Sequence, residues 1–132
     1  MASFRLKTLI AAPLERCFDL SRDVDLHMRS MRFSRERAIA GKTSGLLDSG
    51  DAVTWEARHF GLRHRHTSRI TAFDRPRHFR DEMVAGRFAS FRHDHYFEPD
   101  GDGTKMIDVV SFASPFGVWV ASWTRYFSGG IC

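Results

Sequence analysis

Histidines and carboxylates offer the clearest opportunity for chemistry in this sequence. Five of the seven histidines (His59, His64, His66, His93 and His95) fall at alternating positions of segments that read as β-strands. Asp81 and Asp108 fall on the matching parity of two further segments. An imidazole with its ordinary pKa of about 6.5 beside a carboxylate can hold or pass a proton near neutral pH. The same groups can instead orient the polar end of a bound molecule through hydrogen bonds. Either use requires the alternate side chains to point into a covered space rather than into water.

The elements that must position them follow from hydrophobic period. Phe4, Leu6, Thr8 and Ile10 alternate with Arg5 and Lys7, which predicts a strand. Pro13 suits the first position of a helix carrying Leu14, Cys17, Phe18 and Leu20. Ser21 and Asp23 end that helix and cap a second short one from Val24 to Met28. Residues 29–50 are less regular, with a possible strand at Arg35–Ala40 and turns at Gly41, Gly45 and Gly50. Strands then follow in succession at 53–59, 64–72, 79–84, 88–98 and 104–112, separated by Gly61, Asp74-Arg75-Pro76, Gly86 and Pro99-Asp100-Gly101-Asp102-Gly103. Short turns between strands predict an antiparallel meander. From Pro115, the residues Phe116, Trp119, Val120, Trp123 and Phe127 switch to helical spacing and predict a terminal helix that covers one face of the sheet.

Unpaired charge is costly to bury, so the face richest in Arg and Glu belongs in water. That sends Glu56, Arg58, Arg63, Arg65, Arg69, Arg80, Glu82, Arg92 and Asp94 outward. Trp55, His59, His64, His66, Ile70, Phe79, Asp81, Met83, Phe91, His93, His95 and Phe97 then face inward. In the last strand Lys105 decides the parity and places Asp108 and Val110 inside. A row of imidazoles and carboxylates suggests a partly polar cavity rather than a dry core. For any one histidine the plainer account is a strand-end residue satisfied by an Asp, the backbone or solvent. His64 and His66, nearest a turn, are expected to be the most exposed.

At 132 residues the chain is one domain's worth of protein, and 42% hydrophobic with 27% charged residues is ordinary globular composition. No apolar run reaches the roughly 18–20 residues of a membrane helix. The formal charge of +4 permits a polyanion partner, but the 17 arginines are scattered among Asp and Glu. The outward row Arg58, Arg63, Arg65 and Arg69 lacks interleaved aromatics for base stacking, so no nucleic-acid partner is expected. Two cysteines, Cys17 and Cys132, give neither a disulfide framework nor a zinc spacing. The N-terminus lacks the apolar stretch of a secretory signal, and a cytoplasmic location is expected.

Several stretches resemble the START-like superfamily, the polyketide cyclase/dehydrase and lipid-transport (SRPBCC) group. They are Ala12-Pro13-Leu14-Glu15-Arg16-Cys17-Phe18-Asp19, Gly50-Asp51-Ala52-Val53-Thr54-Trp55-Glu56, His59-Phe60-Gly61, Phe79-Arg80-Asp81-Glu82-Met83, Phe91-Arg92-His93-Asp94-His95-Tyr96-Phe97, Gly103-Thr104-Lys105-Met106-Ile107-Asp108 and Ser114-Pro115-Phe116-Gly117. The likeness is closest to an uncharacterised bacterial branch. It implies an α+β helix-grip (START/Bet v 1-like) fold: a curved antiparallel sheet, two short N-terminal helices, a long C-terminal helix and a cavity between. Members bind lipids, polyketides, hormones or other apolar molecules, and a minority catalyse cyclisation or dehydration. This sequence departs from the pattern in its terminal helix, which at residues 115–127 spans about 20 Å. A shortened helix leaves the cavity open or invites a second chain, and Trp119, Trp123, Tyr126 and Phe127 suggest a homodimer.

The chain is therefore expected to be a single ligand-binding domain over residues 1–132. A small hydrophobic or amphipathic ligand would lie against Trp55, Phe79, Met83, Phe91, Phe97 and Val110. His59, Asp81, His93, His95 and Asp108 would hold its polar end. No cofactor is expected. His64-x-His66 and His93-x-His95 supply metal-ligand types, but Glu98 falls on the wrong parity to complete a cupin-like set, so no metal is assigned. The alternatives are a cyclase or dehydratase, with His93 or His95 as base and Asp81 or Asp108 as its orienter, and a dimeric interaction module with a vestigial cavity. No nucleophile elbow, phosphate loop or dinucleotide fingerprint is present.

Overall fold

The computed structural model describes residues 2–30, 36–59, 61–86 and 88–113, with the side chain of His59 left out. The elements run β1 (Ala2–Ile10), α1 (Leu14–Ser21), α2 (Val24–Ser30), β2 (Arg37–Gly41), β3 (Ala52–His59), β4 (Leu62–Asp74), β5 (His78–Ala85), β6 (Ser90–Asp100) and β7 (Gly103–Ala113). The seven strands form one antiparallel sheet in the order β1-β7-β6-β5-β4-β3-β2. It is the expected meander, with β1 added to the far edge. The terminal helix expected at 115–127, and the dimer contact built on it, lie outside the described residues. Among the described residues, no helix is long and apolar enough to cross a membrane.

Local chemistry accounts for the boundaries. Pro13 stands just before α1 rather than inside it, and its carbonyl accepts from Cys17 N at 3.0 Å. Asp23 caps α2 as expected, its Oδ1 accepting from Asp25 N at 2.9 Å and Leu26 N at 3.2 Å. The β6–β7 strands run further than expected and absorb Pro99, leaving Gly101 (φ 58°) to make the turn.

The two helices lie against one face of the sheet and bury its apolar residues. Phe18 of α1 is fully buried and meets Phe73, Phe79 and Phe97 edge-on, with ring centroids 5.2–5.4 Å away. Cys17, Ile70 and Met106 complete that cluster. Val24 of α2 packs with Val53 and Trp55, joined by Leu47 and Met28. A third cluster, Phe88, Phe91 and Val110 with Phe4, Met83 and Phe112, occupies the β1–β7–β6 side.

Strand parity holds on the inner face, and two expectations about exposure need correction. His64 and His66 are buried, not exposed. The 13-residue β4 carries them well inside the sheet, and His66 meets Phe88 and Phe91 edge-on at 6.5 and 5.5 Å. On the outer parity Arg58, Arg63, Arg65 and Arg69 are exposed as expected, but Glu56 and Asp94 are buried. Arg37 and Arg65 each lie 3.3 Å from Glu56. His78, Arg80 and Arg92 lie 2.8, 2.7 and 3.6 Å from Asp94. Long arginine stems lie along the sheet and cover the carboxylates they pair with.

Candidate functional site

Three adjacent strands place the inward carboxylates and imidazoles side by side. Register sets Asp81 of β5 opposite His93 of β6, and His95 of β6 opposite Asp108 of β7. The side chains then pair diagonally. His95 Nε2 donates to Asp81 Oδ2 at 2.8 Å, and His93 Nε2 donates to Asp108 Oδ1 at 2.9 Å. Diagonal neighbours across strands are within reach of long side chains, and both imidazoles use that reach. The two rings stack with centroids 3.7 Å apart, and Phe79 stacks on the other face of His95 at 4.1 Å. Asp108 Oδ1 also stands 3.3 Å from His95 Nδ1, without the alignment of a hydrogen bond.

His93, His95 and Asp108 are buried and Asp81 is partly covered, so protonation is governed by these contacts. Burial pushes His95 down, but the Asp108 and Asp81 carboxylates outweigh it and raise its pKa to about 9. Burial and the neighbouring His95 charge together hold His93 below its ordinary value, despite Asp108. Burial pushes both carboxyls up, yet the imidazoles hold Asp81 and Asp108 below the usual carboxylate range. At neutral pH the cluster is therefore two carboxylates, one imidazolium at His95 and one neutral ring at His93. At His66 burial outweighs the Asp81 and Glu36 charges and drives the pKa to about 4.

Asp81, His93 and His95 line a cavity of about 50 Å³ between the sheet and the α1–α2 junction. Trp55 and Phe79 line it too, with Val24, Leu47, Val53 and Ile70 as further apolar wall. Asp108 stands behind the two histidines. Of the other expected ligand contacts, Met83, Phe91 and Val110 belong to the neighbouring apolar cluster, and Phe97 is taken up by the packing of α1. The side chain of His59 lies outside the described residues. Sequence reasoning missed Ser68, Asp23 and His27, which also line the cavity. His27 meets the Trp55 ring at 4.3 Å and bonds Glu36 Oε1 through Nε2 at 2.8 Å. The signal for it was its place one turn after Val24, on the face that α2 buries.

Comparison with solved structures gives the same architecture at low identity. TTHA0849 from Thermus thermophilus superposes with a TM-score of 0.71 at 17% identity, over 96% of this chain and 86% of that one. Protein Ms6760 from Mycobacterium smegmatis gives 0.71 at 20% identity, over 98% and 85%. Ara h 8.0201 gives 0.70 at 16% identity, over 98% and 91%. No match is found among curated proteins. A family model described as polyketide cyclase / dehydrase and lipid transport matches residues 1–131. With two short helices packed on a seven-stranded antiparallel sheet and that match spanning nearly the whole length, the chain belongs to this family, in the START-like (SRPBCC) superfamily, and has its helix-grip fold.

Proposed function

We propose that this protein binds a small apolar or amphipathic molecule on the inner face of the sheet, with its polar end held by Asp81, His93 and His95. One observation carries the reading: a buried hydrogen-bonding cluster opens on a cavity whose remaining wall is mostly apolar. The family's description, which includes lipid transport, supports ligand binding in general. At about 50 Å³ this cavity takes the head of a ligand and not its body, since pockets for drug-sized molecules run to roughly 300–1,000 Å³. The body would lie along Met83, Phe91 and Val110, the apolar cluster beside His93. Native mass spectrometry of protein from its own host tests this. A retained organic molecule is expected, lost from His93→Ala while the fold survives. A protein that carries nothing and binds no amphipathic probe refutes the reading.

A second reading has its own support. Each imidazole is oriented by a carboxylate, and burial and pairing drive the two ring pKa values in opposite directions. Such a split assigns neutral His93 as base and protonated His95 as acid in a cyclase or dehydratase. Turnover of a polyketide-like substrate, abolished in both His93→Ala and His95→Ala, is the result expected of it. Binding without turnover excludes it.

A further inference from the structure

We propose that Asp81, His93 and His95 form a site for one divalent transition-metal ion, oriented from behind by Asp108. The inference goes beyond ligand binding and does not depend on it. One donor atom from each of the three residues lies within 4.8 Å of the others. Two imidazoles and one carboxylate are ligand types that suit zinc, iron, manganese or cobalt. Ligand atoms about 2.0–2.1 Å from one ion stand about 3 Å apart at a right angle. His95 Nε2 and Asp81 Oδ2 already have that separation, at 2.8 Å. The His93 donor stands within 4.8 Å of both.

Two further observations point to an ion. Metal-bound histidines almost always present their second ring nitrogen to a carboxylate or carbonyl. With Nε2 of His95 on the ion, its buried Nδ1 faces Asp108 Oδ1 at 3.3 Å, and Asp108 also holds His93 at 2.9 Å. That is the outer carboxylate such a site needs, already placed behind both rings. Among the described residues, the two carboxylates also have no guanidinium or ammonium partner: Asp81 and Asp108 pair only with imidazoles, and no Lys or Arg lies within ion-pair distance of either. Arg22, the guanidinium in the cavity lining, is turned to Asp19, Asp48 and the Leu47 carbonyl. The cavity of about 50 Å³ beside the three donors gives one or two water ligands room to complete the coordination. Three protein ligands and an open position would leave the ion free to take the polar end of a bound molecule.

The test uses the full chain, stripped with a chelator and titrated with Co2+ and with Zn2+. One equivalent of Co2+ should give visible d–d absorption. Asp81→Asn and His95→Gln should each weaken binding at least tenfold, and Asp108→Asn about tenfold or more, by loss of the outer carboxylate. His78→Gln, on the outer face, should leave it unchanged. Imidazole NMR of the unmutated protein provides a reading that no folding defect can confuse, because Zn2+ should shift the His93 and His95 ring signals first. Absence of stoichiometric binding, binding indifferent to Asp81→Asn and His95→Gln, or first shifts at other histidines would each overturn the proposal. None of these results requires or excludes an organic ligand.

Discussion

Asp108→Asn isolates the electrostatics of the cluster. Asparagine keeps the shape of the side chain and one acceptor for His93 but removes the charge. The His95 pKa of about 9, against an unfolded value of about 6.5, corresponds to roughly 3 kcal/mol of folding free energy. Because the folded value is the raised one, this stabilisation is complete below pH 6.5 and is lost as pH rises through 9. Burial opposes both carboxylates, so neutralising Asp108 should remove well over half of this net stabilisation. Converting the 2.9 Å His93 bond from charge-assisted to neutral costs about 1 kcal/mol more. The substitution should therefore cost about 3 kcal/mol at pH 7 and only about 1 kcal/mol at pH 10, where His95 has lost its proton in either protein. Urea melts of chelator-treated protein at the two pH values measure both. A penalty that is the same at pH 7 and pH 10, or below about 0.5 kcal/mol at pH 7, would show that Asp108 does not stabilise an imidazolium at His95.

Two other outcomes follow from burial. His66 has a folded pKa of about 4, below its unfolded value, so the unfolded chain takes up a proton first as pH falls. Stability should decline between pH 6.5 and 4 by up to roughly 3 kcal/mol from this residue, and His66→Leu should flatten that limb in acid-dependent melts. An unchanged limb refutes the assignment. Phe18→Ala removes the fully buried ring that meets Phe73, Phe79 and Phe97 and should cost about 4 kcal/mol, read from the shift in urea midpoint. A loss under 1 kcal/mol would mean that α1 does not anchor the sheet.

Much of this arrangement could be read from alternation alone. Arg58, Arg63, Arg65 and Arg69 mark the wet face of two strands, and that choice carries Trp55, His64 and His66 inward. A single Lys105 was enough to orient β7 and bury Asp108. What one strand's pattern cannot express is register across three strands. The diagonal exchange, with Asp81 on His95 and Asp108 on His93, depends on how β5, β6 and β7 are offset. Parity also says which face a side chain takes, not what covers it. Glu56 and Asp94 took the outer face and were buried there by arginine stems. His27 sits on a short helix, where only its place one turn after Val24 marks it as inward, and its approach to Trp55 depends on how α2 packs on β3.

The pairing of β1 with β7 has a kinetic side. Strands β2 through β7 join neighbour to neighbour, so their contacts close short loops. By contrast, Leu6 meets Asp108 across about a hundred residues of chain, and closing so long a loop carries a larger entropy cost. The hairpins can zip up locally, but β1 can settle only after β7 has been laid down to receive it. Of the seven strands described, the earliest in the chain is thus the one whose partner comes latest. Until β1 docks, the edge of β7 beside Asp108 stands unmated.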